Sequence, residues 1–294
     1  MKQMRKMLML PLLALCACSG ADDDVSVLTP ATSEAECAKV NVAFGQNAPD
    51  MRAAGVESIT VYVYKVEQKS AVLVDQKTID ATQTSFTYEL PLGETYQTFA
   101  VANAASVSDK ETFETATLHI DPAQTGEVWL SNVVRFSSDK SVKDIDLLLR
   151  RLVAEVNFAP AETTDELAAF NMFDKLAITF NNVATAYHVK SAVADLEPLT
   201  LNTTLAEGFQ TRFFTFDTTA GEDNASVFIN YLKNNESVNT SSSVLDAGVK
   251  FAASRRYNVV VPVTSPDFLS TSWTTRGAQL NSGSQITITE TIMK

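Results

Sequence analysis

From Lys39 onward the chain alternates apolar and polar residues in short runs, the period-two signature of half-buried strands. In Ile59-Thr60-Val61-Tyr62-Val63-Tyr64, Ile59, Val61 and Val63 share one face while Thr60, Tyr62 and Tyr64 share the other. β-branched and aromatic residues of this kind fit a pleated surface. Similar runs occur at 40–44, 71–74, 86–90, 98–102, 117–120 and 128–136. Turn chemistry separates them at Asn47-Ala48-Pro49-Asp50, Pro91-Leu92-Gly93 and Asp121-Pro122. A second set opens near Asp144 and continues at 176–180, 185–190, 209–216, 226–232, 257–263 and 285–292. One helix interrupts it: Thr163-Thr164-Asp165-Glu166 has the form of a capping box, followed by Leu167 and Phe170 at helical spacing. The Asn- and Ser-rich segment 234–243 reads as an exposed loop. The pattern predicts an all-β protein of two tandem β-sandwiches, residues 37–142 and 143–294, with a short helix early in the second.

The first residues follow a different rule. Lys2, Arg5 and Lys6 precede an apolar run from Met7 to Ala17, the layout of a secretory signal. The run is well short of the ~20 residues that span a bilayer. Leu15-Cys16-Ala17-Cys18 resembles a bacterial lipobox, with Cys16 where Ala, Ser or Thr is usual. The resemblance implies that residues 1–17 are a lipoprotein signal peptide and Cys18 the lipid attachment site; the alternative is an ordinary signal peptide cut nearby, or a buried structural cysteine. Residues 18–36 become a polar tether. Asp22, Asp23 and Asp24 resemble the export signal that carries Bacteroidales lipoproteins to the outer face of the outer membrane; they also read as part of a solvated linker.

Charge narrows the partners. The 294 residues hold 23 Lys and Arg against 35 Asp and Glu, a net charge of −12, and loss of the signal removes three further cations. Such a chain is repelled by nucleic acid and anionic headgroups. Once Cys16 has left and Cys18 carries lipid, Cys37 stands alone and reads as a small buried hydrophobe. With only His119 and His188 beside it, no zinc site is expected, nor any cofactor.

Catalytic motifs are absent: there is no phosphate-binding glycine loop, His-Glu-x-x-His or Gly-x-Ser-x-Gly. Ser137 and Lys140 satisfy Ser-x-x-Lys but fall in a polar linker rather than on a helix. Tyr62, Tyr64, Phe213, Phe214 and Phe216 read as core, with a sugar-stacking platform as the alternative. Of Arg150 and Arg151, one is expected to pair locally and the other to face solvent. Asp217-Thr218-Thr219 resembles a short O-glycan acceptor and equally reads as a plain loop.

Four segments, taken in order, resemble the fimbrillin-like proteins of Bacteroidales, especially the minor fimbrial anchor family of type V pili. They are the paired runs 59–65 and 71–74; Phe86 to Leu92 with Gly93-Glu94-Thr95-Tyr96 and the run ending at Ala102-Asn103; Leu149-Arg150-Arg151-Leu152-Val153-Ala154-Glu155-Val156; and Arg256-Tyr257-Asn258 with the valines after it. The resemblance implies transthyretin-like sandwiches, no catalysis, and assembly with other fimbrial subunits by strand exchange at the outer membrane. In such proteins a protease removes the first strand of stalk subunits, and a neighbour's C-terminal strand fills the groove. Anchor subunits keep both lipid and first strand.

Here Val40, Val42 and Phe44 lie in the first strand, and Arg52 in the turn after it is the candidate processing site. The terminal segment 284–294 is the candidate donor strand, with Ile286, Ile288 and Ile292 on one face and Glu290 breaking it; pairing within its own domain stays open. The expected function is an anchor or accessory subunit of a surface fimbria that supports adhesion. The alternative is a carbohydrate-binding surface lipoprotein of a glycan-uptake system, which requires an exposed aromatic platform and has only Trp129 and Trp273 as tryptophans.

Overall fold

The computed structural model describes residues 36–45, 55–122, 126–139, 142–222, 225–244, 249–263 and 287–293. It is built from strands, as the alternation predicts. The first half holds β1 (Cys37–Phe44), β2 (Ser58–Val66), β3 (Ala71–Asp80), β4 (Ser85–Pro91), β5 (Thr95–Ala102), β6 (Ser106–Ser108), β7 (Thr117–His119), β8 (Trp129–Ser131), β9 (Val134–Ser137), β10 (Lys143–Leu147) and β11 (Leu149–Arg151). The second half holds β12 (Val153–Pro160), α1 (Thr164–Phe170), β13 (Lys175–His188), β14 (Val193–Thr204), β15 (Thr211–Phe216), β16 (Ser226–Lys233), β17 (Glu236–Val244), β18 (Arg255–Val261) and β19 (Thr287–Ile292).

In the first sandwich a three-stranded sheet, β10-β1-β4, faces the sheet β11-β8-β5-β2-β3, with β9 also on β5. Val40, Val42, Ile59, Val61, Val63, Tyr88, Leu90, Ile145 and Leu147 fill the space between. The predicted Gly-x-x-Tyr turn has a physical basis. Gly93 takes a left-handed φ of 80°, and Tyr96 donates its hydroxyl to the Pro91 carbonyl at 3.3 Å. Burial, then the neighbouring Glu94 and Cys37, pushes the Tyr96 phenol up to about 12.

In the second sandwich β15-β12-β18-β19 faces a sheet centred on β13. Strand β14 runs along one side of β13, while β16 and then β7 share the other. A register shift between Phe180 and Val183, with Asn182 at φ 58°, bends β13 and lets it change partners. Helix α1 starts at the predicted capping box: the Thr163 amide donates to the Glu166 carboxylate at 2.9 Å, and the Glu166 amide returns a bond to the Thr163 hydroxyl at 3.4 Å. The segment expected to be a loop at 234–243 is instead mostly β17, an edge strand on β16. Asn234 and Asn235 form its tight turn, both at positive φ, which asparagine tolerates better than other side-chain-bearing residues.

Two strand assignments depart from the sequence division at 142/143. Residues 143–151 belong with the first sandwich, because β10 runs parallel to β1 and β11 pairs with β8. The chain passes into the second sandwich at Val153. In the opposite sense, the short hairpin β6–β7 leaves the first half and extends the β13 sheet. Local alternation does not show which distant sheet completes a strand.

The hairpin seals a third core between the halves. Tyr62, Tyr64, Phe99 and Val101 cover the back of the first sandwich and Val153, Phe214 and Phe216 the back of the second; Leu118 and Ile120 lie in the same cluster. Tyr62 and Tyr64, on the face of β2 turned away from the first core, are therefore buried as core.

Leu118→Ala is expected to cost about 2–5 kcal/mol by leaving a cavity in this seam. Urea unfolding followed by Trp129 fluorescence and by far-UV circular dichroism should give coincident transitions; separate transitions of the two halves would contradict a shared core. Bonding to the Thr163 amide and hydroxyl holds the Glu166 carboxyl below its usual value. Its capping contribution is then fully present above the ordinary glutamate range and is lost as pH falls through the lowered value. An NMR titration of the Thr163 amide should follow that loss, and Glu166→Gln should abolish it.

Candidate functional site

The residues that sequence nominated for assembly lie at the two ends of the chain. Cys18, Asp22, Asp23, Asp24, Arg52 and Ile286 fall outside the described residues. The first strand and most of the terminal strand are described.

Strand β1 sits between two partners. It pairs antiparallel with β4, from Cys37 opposite Pro91 to Ala43 opposite Ser85, and parallel with β10, from Val40 opposite Lys143 to Phe44 opposite Leu147. Val40, Val42 and Phe44 point into the first core, as predicted. Outside, Asn41 bridges all three strands, donating to Asp144 at 2.9 Å and accepting from Thr87 at 3.0 Å. The Phe44 ring stacks on Phe86 at 5.9 Å, and the Lys77 ammonium lies 5.0 Å from the Phe86 ring centre. Cys37 is half-buried at the strand's start rather than fully buried. Withdrawing β1 would leave a slot one strand wide, with unpaired backbone on both walls and an apolar floor.

Strand β19 pairs antiparallel with β18, from Arg255 opposite Ile292 to Val260 opposite Thr287. Of the two readings left open, the described strand is therefore the one paired within its own sheet. The predicted apolar face does not hold to its end. Ile288 packs against the second core, but Ile292 is 68% exposed and Glu290 pairs with Arg255 at 3.3 Å in solvent. Met293, 6% exposed, enters the core between the halves instead. The alternation slips by one residue past the last sheet pair, and sequence reasoning therefore missed Met293. An unexplained large apolar residue beside Ile292 was the available signal.

The junction segment lies beside this strand. Arg151 is largely buried; its Nε bonds Glu127 at 2.5 Å, its NH1 donates to the Met293 carbonyl at 2.9 Å, and its guanidinium lies 4.9 Å from the Trp129 ring centre. Arg150 is exposed, so the pair divides as expected. Arg150, Tyr187, Thr219 and Ser254 help line an open cleft of about 630 Å³ between the halves. Burial raises the Tyr187 phenol, with Arg150 acting in the opposite direction and Asp217 in the same one.

The remaining nominations resolve as structure rather than sites. Tyr62, Tyr64, Phe213, Phe214 and Phe216 are all buried, so they form no sugar platform. Trp129 is 3% exposed. Asp217 accepts from the Thr219 and Ala253 amides, and the Thr218 hydroxyl is buried and accepts from the Phe251 amide at 2.8 Å, which removes the O-glycan reading at Thr218.

No known family profile matches the chain, and no curated protein matches it. Solved structures do. A candidate polysaccharide-binding protein of Bacteroides thetaiotaomicron superposes with a TM-score of 0.53 at 13% identity, covering 78% of this chain and 93% of its own. Two candidate adhesins of Bacteroides ovatus superpose at the same score with 10% and 12% identity; they cover 75% and 86% of this chain, and 88% and 95% of their own. At such identities the likeness establishes the shared fold.

The two ends of the chain differ in how they hold. Val42→Ala is expected to cost about 2 kcal/mol, the value of buried methyl groups plus incomplete collapse. Ile292→Thr should stay within about 0.5 kcal/mol, as for other exposed positions. Midpoints of urea unfolding at constant slope check both.

Proposed function

We propose that this protein is a structural subunit of a cell-surface fimbria, in an anchor or accessory position, that joins other subunits by strand exchange and supports adhesion. The observation that carries this reading is β1. It is the first described strand and the middle of a three-stranded sheet, and its side chains plug the first core through one face. Its replacement by a foreign strand of similar alternation would restore both ladders of hydrogen bonds and the apolar contacts, which is how strand addition obtains affinity and register together. The terminal strand supports the same reading from the other side: it lies at a sheet edge, bonded on one side to β18, with four consecutive exposed residues from Thr289 to Ile292.

The Bacteroides proteins of similar fold described as candidate adhesins agree with a surface role. In this reading Cys18 carries the lipid, Asp22, Asp23 and Asp24 direct the chain to the outer face of the outer membrane, and the protein performs no catalysis. Among the described residues the glycan-binding alternative finds no exposed aromatic platform, since Trp129 and the strand aromatics are buried; Trp273 lies outside them.

Intact mass spectrometry of the mature protein from membranes and from sheared fibres tests the proposal. The expected result is a lipidated N-terminus at Cys18 in membranes, in company with fibre subunits. A terminus at Ala53 in fibres would move the protein to a polymerising position. A lipidated monomer without any fibre partner would sink the fimbrial reading.

A further inference from the structure

Strand β19 is fastened at its far end by more than its own sheet requires. Among the described side chains of the strand only Ile288 packs on a core; residues 289–292 face solvent. Beyond the strand, Met293 is held on three sides. Its side chain lies in the core shared by the halves, its amide donates to the Ser254 carbonyl at 3.0 Å, and its carbonyl accepts from Arg151 at 2.9 Å. Ser254 is in turn bonded through its amide to the Val153 carbonyl at 2.9 Å. Arg151 and Val153 bracket the point where the chain passes between the sandwiches. Glu127, which binds the same guanidinium, lies two residues before Trp129 in the first half. The end of the last strand is thus tied into the joint between the two halves.

We infer that Arg151 is the positioning residue that latches the C-terminal strand, coupling its retention to the seam between the sandwiches. The inference rests on the strand-exchange reading for its purpose, but its physical content is separate. With β19 in place, the guanidinium satisfies a carboxylate in the first half and a carbonyl in the second. When the strand departs, Arg151 loses the carbonyl, the Ser254 carbonyl loses a donor, and Met293 vacates the shared core. These losses occur together. In this inference Glu127 holds the guanidinium where it meets the Met293 carbonyl; the coupling is then reciprocal, so that seating the strand strengthens the Arg151–Glu127 pair and loosening the pair favours release. Glu127 makes no described hydrogen bond or ion pair with β19, so an effect of its substitution on the strand measures coupling rather than contact.

Hydrogen exchange by mass spectrometry on the full mature chain tests this, comparing wild type with Glu127→Gln, Arg151→Lys and Met293→Ala. Glu127→Gln is expected to speed exchange of the β18–β19 amides about fivefold or more, while the β1–β4 amides keep the wild-type rate. Arg151→Lys retains the charge but not the rigid fork of donors and should fall between wild type and Glu127→Gln. Should Glu127→Gln disturb folding, seen as altered circular dichroism, the Arg151→Lys result alone decides. Unchanged β18–β19 exchange in both Glu127→Gln and Arg151→Lys, with acceleration only in Met293→Ala, would overturn the latch and leave Met293 as ordinary packing. A labelled peptide of residues 284–294, offered to a chain whose β1 has been cut away, tests strand exchange separately. Failure of the peptide to bind while Glu127→Gln still accelerates exchange would remove the assembly reading and keep the latch.

Discussion

Leu118 and Ile120 lie in an apolar seam to which both sandwiches contribute, and the arrangement of the molecule depends on that seam. Each sandwich has an inner core of its own, but the backs of two sheets also carry large apolar residues: Tyr62, Tyr64 and Phe99 on one, Phe214 and Phe216 on the other. Left apart, these faces would expose aromatic surface to water, and burying such a side chain is worth about 1.5–3 kcal/mol. The β6–β7 hairpin crosses over and joins the β13 sheet by backbone hydrogen bonds, so the halves share a sheet as well as a core. Relative motion of the halves would break both at once. That distinguishes the molecule from two sandwiches on a flexible linker, whose contacts are smaller and more polar.

The seam separates the roles of the two chain ends. Strand β1 contributes to the first core and has no residue in the shared one. Its loss would therefore be confined to one sandwich and leave the joint between the halves intact. The terminal strand touches the second core through Ile288, and the residue that follows it, Met293, lies in the shared core. Its departure affects the joint directly. On the proposed strand-exchange reading, a subunit that received a strand at one end and gave one at the other would keep its shape in the first event and loosen in the second. The ion pair of Arg151 with Glu127, shielded from solvent, lies where that difference is decided.

Period-two alternation was a sound guide wherever one face of a strand meets its own core, as in β1, β2 and β4. The capping box placed α1 for the same reason: its bonds close within four residues. Long-range partners were not legible. Residues 143–147 pair with β1 across about a hundred positions, and nothing local distinguishes that from pairing onward. Strand β17 was hidden because an edge strand needs few apolar residues, and β14 because most of its side chains face solvent. At the candidate site, the inward set of β1 was readable, while the displacement of Met293 into the seam was not, because it follows a break in the alternation. The motif Arg256-Tyr257-Asn258 resolves into separate contacts: Arg256 pairs with Glu155 at 2.8 Å, Tyr257 accepts from the Ala252 amide, and Asn258 bonds Asn157.

Open sheet edges recruit other strands unless something prevents it. Strand β14 carries Asp195, Glu197 and Pro198, and proline cannot donate to a new ladder. Strand β3 is capped at its start by residues 111–113, through Leu73 to Glu111 and Phe113 to Ala71, and farther along exposes Asp75 and Lys77. Strand β15 gives its Phe214 amide to the Pro122 carbonyl. Strand β19 has lighter protection: exposed threonines at 289 and 291, and one carboxylate, Glu290, already paired with Arg255. A strand that is to leave its sheet and enter another must be free of charges that the new groove would have to desolvate. Light charge is not peculiar to β19, since the edge strand β17 carries only Glu236, so what sets β19 apart is the anchorage of Ile288 and Met293 added to its ladder with β18.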